Sequence, residues 1–163
     1  MKLRPALLGL GSVVLLAGCA KTHISMLNTR REELSSQTKI FAVAARNLEE
    51  TVHRKHATAE QEAAARAVAA FHQATENFAR IAGAWRDSDQ VNDQYEDLVD
   101  AWVEVMWTFP KLEPDNLTLE SYQRVEYEWE QLNRSAGYAA RKYQKEMEDK
   151  YEEERGPKPE IPK

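Results

Sequence analysis

The chain has 163 residues, 30% of them charged, and a net charge of −5. That is room for one ordinary domain with one core, and the balance of charge lacks the basic field with which nucleic-acid binders seek phosphate. A single cysteine leaves no internal disulfide, while six Gly and six Pro in a sequence rich in Ala, Glu, Gln and Arg favour helix.

In chain order, Met1 to Pro5 forms a short positive head carrying Lys2 and Arg4, followed by an apolar run from Ala6 to Leu16 and the tetrapeptide Leu16-Ala17-Gly18-Cys19. This is the layout of a secretory signal over residues 1–18. As a helix the run would reach about 17 Å, short of the roughly 30 Å hydrocarbon core, so it does not read as a membrane span. The tetrapeptide resembles the bacterial lipobox and matches it at every position. The resemblance implies cleavage between Gly18 and Cys19, and a mature N-terminus bearing diacylglycerol through the Cys19 thioether together with an N-acyl chain. Ala20, standing where an Asp would signal retention, implies the periplasmic face of the outer membrane, with the inner membrane as the alternative. Each buried methylene contributes about 0.8 kcal/mol, so several acyl chains make such an anchor effectively permanent. Loss of Lys2 and Arg4 takes the charge from −5 to −7. With its one thiol occupied by lipid, the exported part must be held by packing, and no further cofactor is expected.

After a lipidated tether over residues 19–27, which extends at most about 26 Å beyond the anchor, apolar positions recur at intervals of three and four. The first predicted helix runs from Asn28 to Lys55 with Leu34, Thr38, Phe41, Ala45, Leu48 and Val52 on one stripe. Thr58 and Gln61 fit a capping box that opens a second helix, with Ala64, Val68, Phe71, Thr75, Phe78, Ala82 and Trp85 as its stripe. Asp87 and Gln90 repeat that logic for a third, whose seam is Val91, Tyr95, Leu98, Trp102, Val105 and Phe109. Pro110 ends it. Residues 110–117 read as a loop, with Thr118 as cap of a fourth and longest helix whose stripe is Tyr122, Val125, Trp129, Leu132, Ala136, Ala139 and Tyr143. The stripe fades into charged residues near 152, and residues 153–163 read as a disordered tail rich in Pro and charge.

Four stripes with short connections over residues 28–152 predict an all-α fold, an up-down-up-down antiparallel four-helix bundle. Three helices, or a helical hairpin that completes its core by dimerising, are the alternatives, because seams this narrow also suit coiled coils.

Bundle cores can hold metals, so the histidines matter. Glu50 and His53 make one Glu-x-x-His pair, yet carboxylate-bridged di-iron bundles need two, and Glu50 points about 160° away from the first stripe. His53 and His56, with Glu49, could instead converge on a surface transition metal, which gives a metal-binding or metal-sensing bundle as the alternative function. No C-x-x-C-H offers covalent haem, and neither a nucleophile elbow, a Gly-rich phosphate loop nor H-E-x-x-H occurs. The expectation is a protein that is not an enzyme. Asn116-Leu117-Thr118 has the form of a glycosylation sequon but reads better as loop and cap.

Helical geometry leaves Tyr127 and Tyr138 opposite the fourth stripe, Trp107 outside the third, and Ile40 and Val43 on the outer part of the first. Exposed Trp and Tyr are frequent interface anchors, so Trp107, Tyr127 and Tyr138 form the predicted partner surface. The sequence as a whole predicts a lipid-anchored periplasmic adaptor, accessory subunit or structural component of an envelope complex, in contact with the membrane through its lipid and with an envelope protein or a further copy of itself.

Overall fold

The expected stripes become buried faces in a computed structural model that describes residues 31–52, 58–84 and 88–161. Its helices are α1 (Arg31–Val52), α2 (Ala59–Ala84), α3 (Ser88–Thr108), α4 (Asn116–Ala136) and α5 (Tyr138–Arg155), with a 3-10 turn at Phe109–Leu112. The protein is an all-α bundle that closes within one chain, and the segment predicted as one long fourth helix is two. The expected extension of the first helix to Lys55, together with Trp85 and Asp87, lies outside the described residues.

Local chemistry explains the boundaries. Thr58 accepts the Gln61 N–H on its Oγ1 at 3.1 Å, opening α2 as the capping pattern requires. At α4 the cap is Asp115, not Thr118. The Asp115 carboxylate accepts the Thr118 N–H at 2.9 Å and the Thr118 hydroxyl at 2.7 Å, so the predicted cap is itself capped. Pro110 sits inside the 3-10 turn that prolongs α3, and Glu113, with φ 48°, closes that turn by donating its N–H to the Pro110 carbonyl at 3.2 Å. Thr38 and Thr75, both on buried stripes, satisfy their hydroxyls on the preceding turn, at Ser35 O (2.9 Å) and Phe71 O (2.7 Å).

The break after Ala136 rests on one residue. Gly137 takes φ 95°, a region closed to most side chains, and its N–H returns to the Asn133 carbonyl at 3.1 Å. The chain therefore reverses, and α5 runs back along α4.

Around the bundle the order is α4, α1, α2, α3, with α5 between α3 and α4, whose backbones scarcely approach each other. Large rings hold that side open. Trp102 and Tyr95 of α3 stack on Tyr122 and Trp129 of α4 at centroid distances of 5.5 and 6.1 Å, and the series continues through Phe41 and Phe71 of α1 and α2. Such ring pairs add about 0.5–1.5 kcal/mol each beyond simple burial. They fill the centre from all four of the first helices.

The C-terminal segment is also structured. Residues 156–161, expected to belong to a disordered tail, lie against α3. The Trp107 indole donates to the Gly156 carbonyl at 3.1 Å, the Lys158 ammonium reaches Met106 Sδ at 3.3 Å, and Ile161 packs on the core. Among the described residues, no helix is long and apolar enough to cross a membrane.

Candidate functional site

Gly18 and Cys19, the lipidation site, and His53 and His56, the candidate metal ligands, lie outside the described residues. Glu49, the third candidate ligand, is turned across to α2. There its carboxylate meets His72 Nδ1 at 2.5 Å, while His72 Nε2 lies 3.3 Å from Glu76, which Arg46 holds at 2.7 Å. The Arg46 bond, and next the His72 charge, keep the Glu76 carboxyl below the usual carboxylate range. This joint ties α1 to α2. Among the described residues, no group of three or more His, Cys, Asp or Glu is arranged to hold a metal.

The three residues of the predicted partner surface are not brought together. Trp107 is only 6% exposed, because the Tyr151 ring (centroids 5.6 Å apart) and the Gly156 carbonyl cover it. Its assignment to the surface is corrected: the fourth stripe breaks at Gly137, and the returning α5 lies over what a four-helix arrangement would leave bare. Tyr127 (55% exposed) and Tyr138 (76% exposed) do reach solvent. They sit apart, Tyr138 at the α4–α5 turn and Tyr127 about 15 Å back along α4, at roughly 1.5 Å per residue.

What does gather is on the outer face between α1 and α4. A groove of about 540 Å³ runs there, lined by Ala44 and Asn47 of α1 and by Leu117, Ser121, Arg124 and Tyr127 of α4. A second groove of about 390 Å³ shares Asn47, Leu117 and Ser121 with it, which extends the path toward the start of α4. Leu117 is 59% exposed, whereas exposed Val43 of α1 lines a separate depression between α1 and α2. Ala44 and Ser121 are the small residues of its lining, and Leu117 and Tyr127 are its large exposed ones. The Arg124 guanidinium lies over the Tyr127 ring, 5.5 Å from its centroid, and also pairs with Glu128. Glu128 is buried at the α1–α4 contact, where it further accepts the Gln37 amide at 2.8 Å. A buried carboxylate left unpaired is costly, so this trio fixes the register of α1 against α4 and with it the shape of the groove. The sequence reading missed Leu117 because it treated residues 110–117 as connection. Its exposure follows from α4 starting at Asn116, which puts Leu117 in the first turn.

A more polar groove of about 530 Å³ lies between α4 and α5, edged by Arg134, Arg141 and Lys145. At its base the Tyr95 hydroxyl donates to Asn133 Oδ1, and Gln144 Oε1 accepts from both the Asn133 side-chain amide and the Trp129 indole (3.1 Å). Burial pushes the Tyr95 hydroxyl well above the ordinary tyrosine range. Every member of this network has its partner, so it acts as a lock between α3, α4 and α5.

Comparison of the chain with protein-family models, with curated proteins and with solved structures finds no match.

Proposed function

We propose that the chain is a non-enzymatic lipoprotein of the bacterial envelope, anchored through Cys19 to the periplasmic face of the outer membrane, whose outer α1–α4 face docks an envelope protein. The address is supported by the signal layout and by the lipobox resemblance at Leu16-Ala17-Gly18-Cys19. The observation that carries the docking role is that exposed Leu117 and Tyr127, both on α4, stand along one edge of the groove between α1 and α4. Apolar knobs beside a receptive depression are what interface cores are built from. Trp107 has no part in it, and Tyr138 stands at a separate place.

Mass spectrometry of the protein purified from envelopes tests the anchor: the expected N-terminus is a triacylated Cys19, and a free thiol with the leader attached contradicts it. For the docking face, Leu117→Ser with Tyr127→Ser should keep full helicity yet lose crosslinked partner in intact envelopes. The same crosslinks surviving in that double variant would reject this face.

A further inference from the structure

Periodicity and fold part company at residue 137. The apolar positions Leu132 and Ala136 of α4 continue in register to Ala139 and Tyr143 of α5, so residues 116–155 have the pattern of one helix that a single glycine folds back. Gly137 holds φ 95° and ψ −170°, a combination essentially confined to glycine, and an added Cβ would meet nothing within 4 Å. Space is therefore not what excludes a side chain there; the backbone angle is. Straightened at this residue, α4 and α5 would make one rod about 60 Å long.

The place α5 now occupies has the character of a receptor for a helix. α3 and α4 leave a gap, and α5 fills it lightly: of its 18 residues Ala140 alone is buried, with Ala139, Tyr143, Met147 and Tyr151 partly so. Its seating depends on directed bonds to α3. The Tyr143 hydroxyl donates to Asp100 at 3.3 Å, the Tyr151 hydroxyl donates to Glu104 at 3.1 Å, and Arg155 pairs with Glu104 at 2.7 Å. Any α5 presented in this pose makes the same bonds, whichever chain carries it.

We propose that the α3–α4 gap is a helix-receiving groove that a second copy of this chain can occupy: two chains straighten at Gly137 and exchange α5, each helix seating on the other chain's α3. A second copy is the fitting occupant because the groove's acids, Asp100 and Glu104, already match the Tyr143, Tyr151 and Arg155 donors of this helix. The one-residue connection is too short to do anything but reverse or continue. Exchange of an identical element through a short hinge costs few contacts, since those lost within a chain are regained between chains.

The test is the mass of the full chain carrying Gly137→Ala, measured by light scattering during size exclusion. Alanine resists φ 95° but suits a continuous helix, so the expected result is a twofold rise in mass over the parent with helicity kept. A folded variant of monomer mass overturns the proposal. If the variant does not fold, chains with the parent Gly137 decide it. One carries Asp100→Cys, the other Tyr143→Cys, both carry Cys19→Ser, and the mixture is unfolded, refolded together at high concentration and treated with a short bis-maleimide. Crosslinks joining 100 of one chain to 143 of the other are expected above those of an Asp100→Cys and Glu113→Cys mixture, and crosslinking no greater than that control overturns it.

Discussion

The interior shared by α1 to α4 and the seam that holds α5 are assembled differently. In the interior, Phe41, Phe71, Tyr95, Trp102, Tyr122 and Trp129 stack ring against ring, and stability comes from removing large apolar surface from water. Along the seam, hydroxyls and a guanidinium reach for acids on α3, and the buried indoles beneath, Trp107 and Trp129, donate to Gly156 and Gln144. Hydrogen bonds of this kind contribute about 1 kcal/mol each because water competes for them. The difference implies a frame of four helices that holds itself together and a fifth that is attached to it.

The largest expected effect strikes the frame. Trp102→Ala removes a ring in contact with Phe71, Tyr122 and Trp129, and should cost about 3–5 kcal/mol in denaturant unfolding, enough to threaten a domain whose total stability is typically about 5–15 kcal/mol. Next comes the lock that joins both regions. Asn133→Ala strands the buried Tyr95 hydroxyl and one Gln144 contact, with an expected loss of about 1–3 kcal/mol in the same measurement.

Alkaline pH should weaken both regions. Burial raises the hydroxyls of Tyr95 and Tyr122, and burial followed by nearby acids raises those of Tyr143 and Tyr151, above the ordinary value of 10.0. A folded value above the unfolded one means that the folded state holds the proton more tightly. Stability from these groups is therefore complete below about pH 10 and falls as pH rises beyond it. Ionisation of these four hydroxyls, read as tyrosinate absorbance, is expected to come together with loss of helicity, and their ionisation with helicity intact would contradict this. The smallest effect belongs to Tyr151→Phe, which removes one bond to Glu104 and should lower stability by about 1 kcal/mol or less, felt in α5 alone.

The frame was largely legible in the sequence because stripes at helical spacing can only be buried by one another. Leu34 to Val52, Ala64 to Ala82 and Val91 to Phe109 are buried where periodicity put them. The seam was not legible. Periodicity says which face is apolar but not where the chain turns, and the stripe passes through Gly137 without a fault. Two signals were present nonetheless. Arg134 followed by Gly137 is the usual ending of a helix. α3 also carries Val99, Val103, Met106 and Trp107 beyond its seam, more apolar surface than three neighbours in a square arrangement would cover. That surplus called for a further helix, and reading Trp107 as an exposed anchor came from assuming there was none. The outer α1–α4 face fared better in part: Tyr127 falls outside the stripes, whereas Leu117 depended on a helix start set by Asp115.

Native-state hydrogen exchange tests the division between frame and attached helix most directly. Amides of α5, residues 138–155, are expected to exchange together and markedly faster than those of the α1, α2, α3 and α4 centres, through an opening that leaves the frame closed. Equal protection across α5 and the frame, lost in a single event, would contradict it.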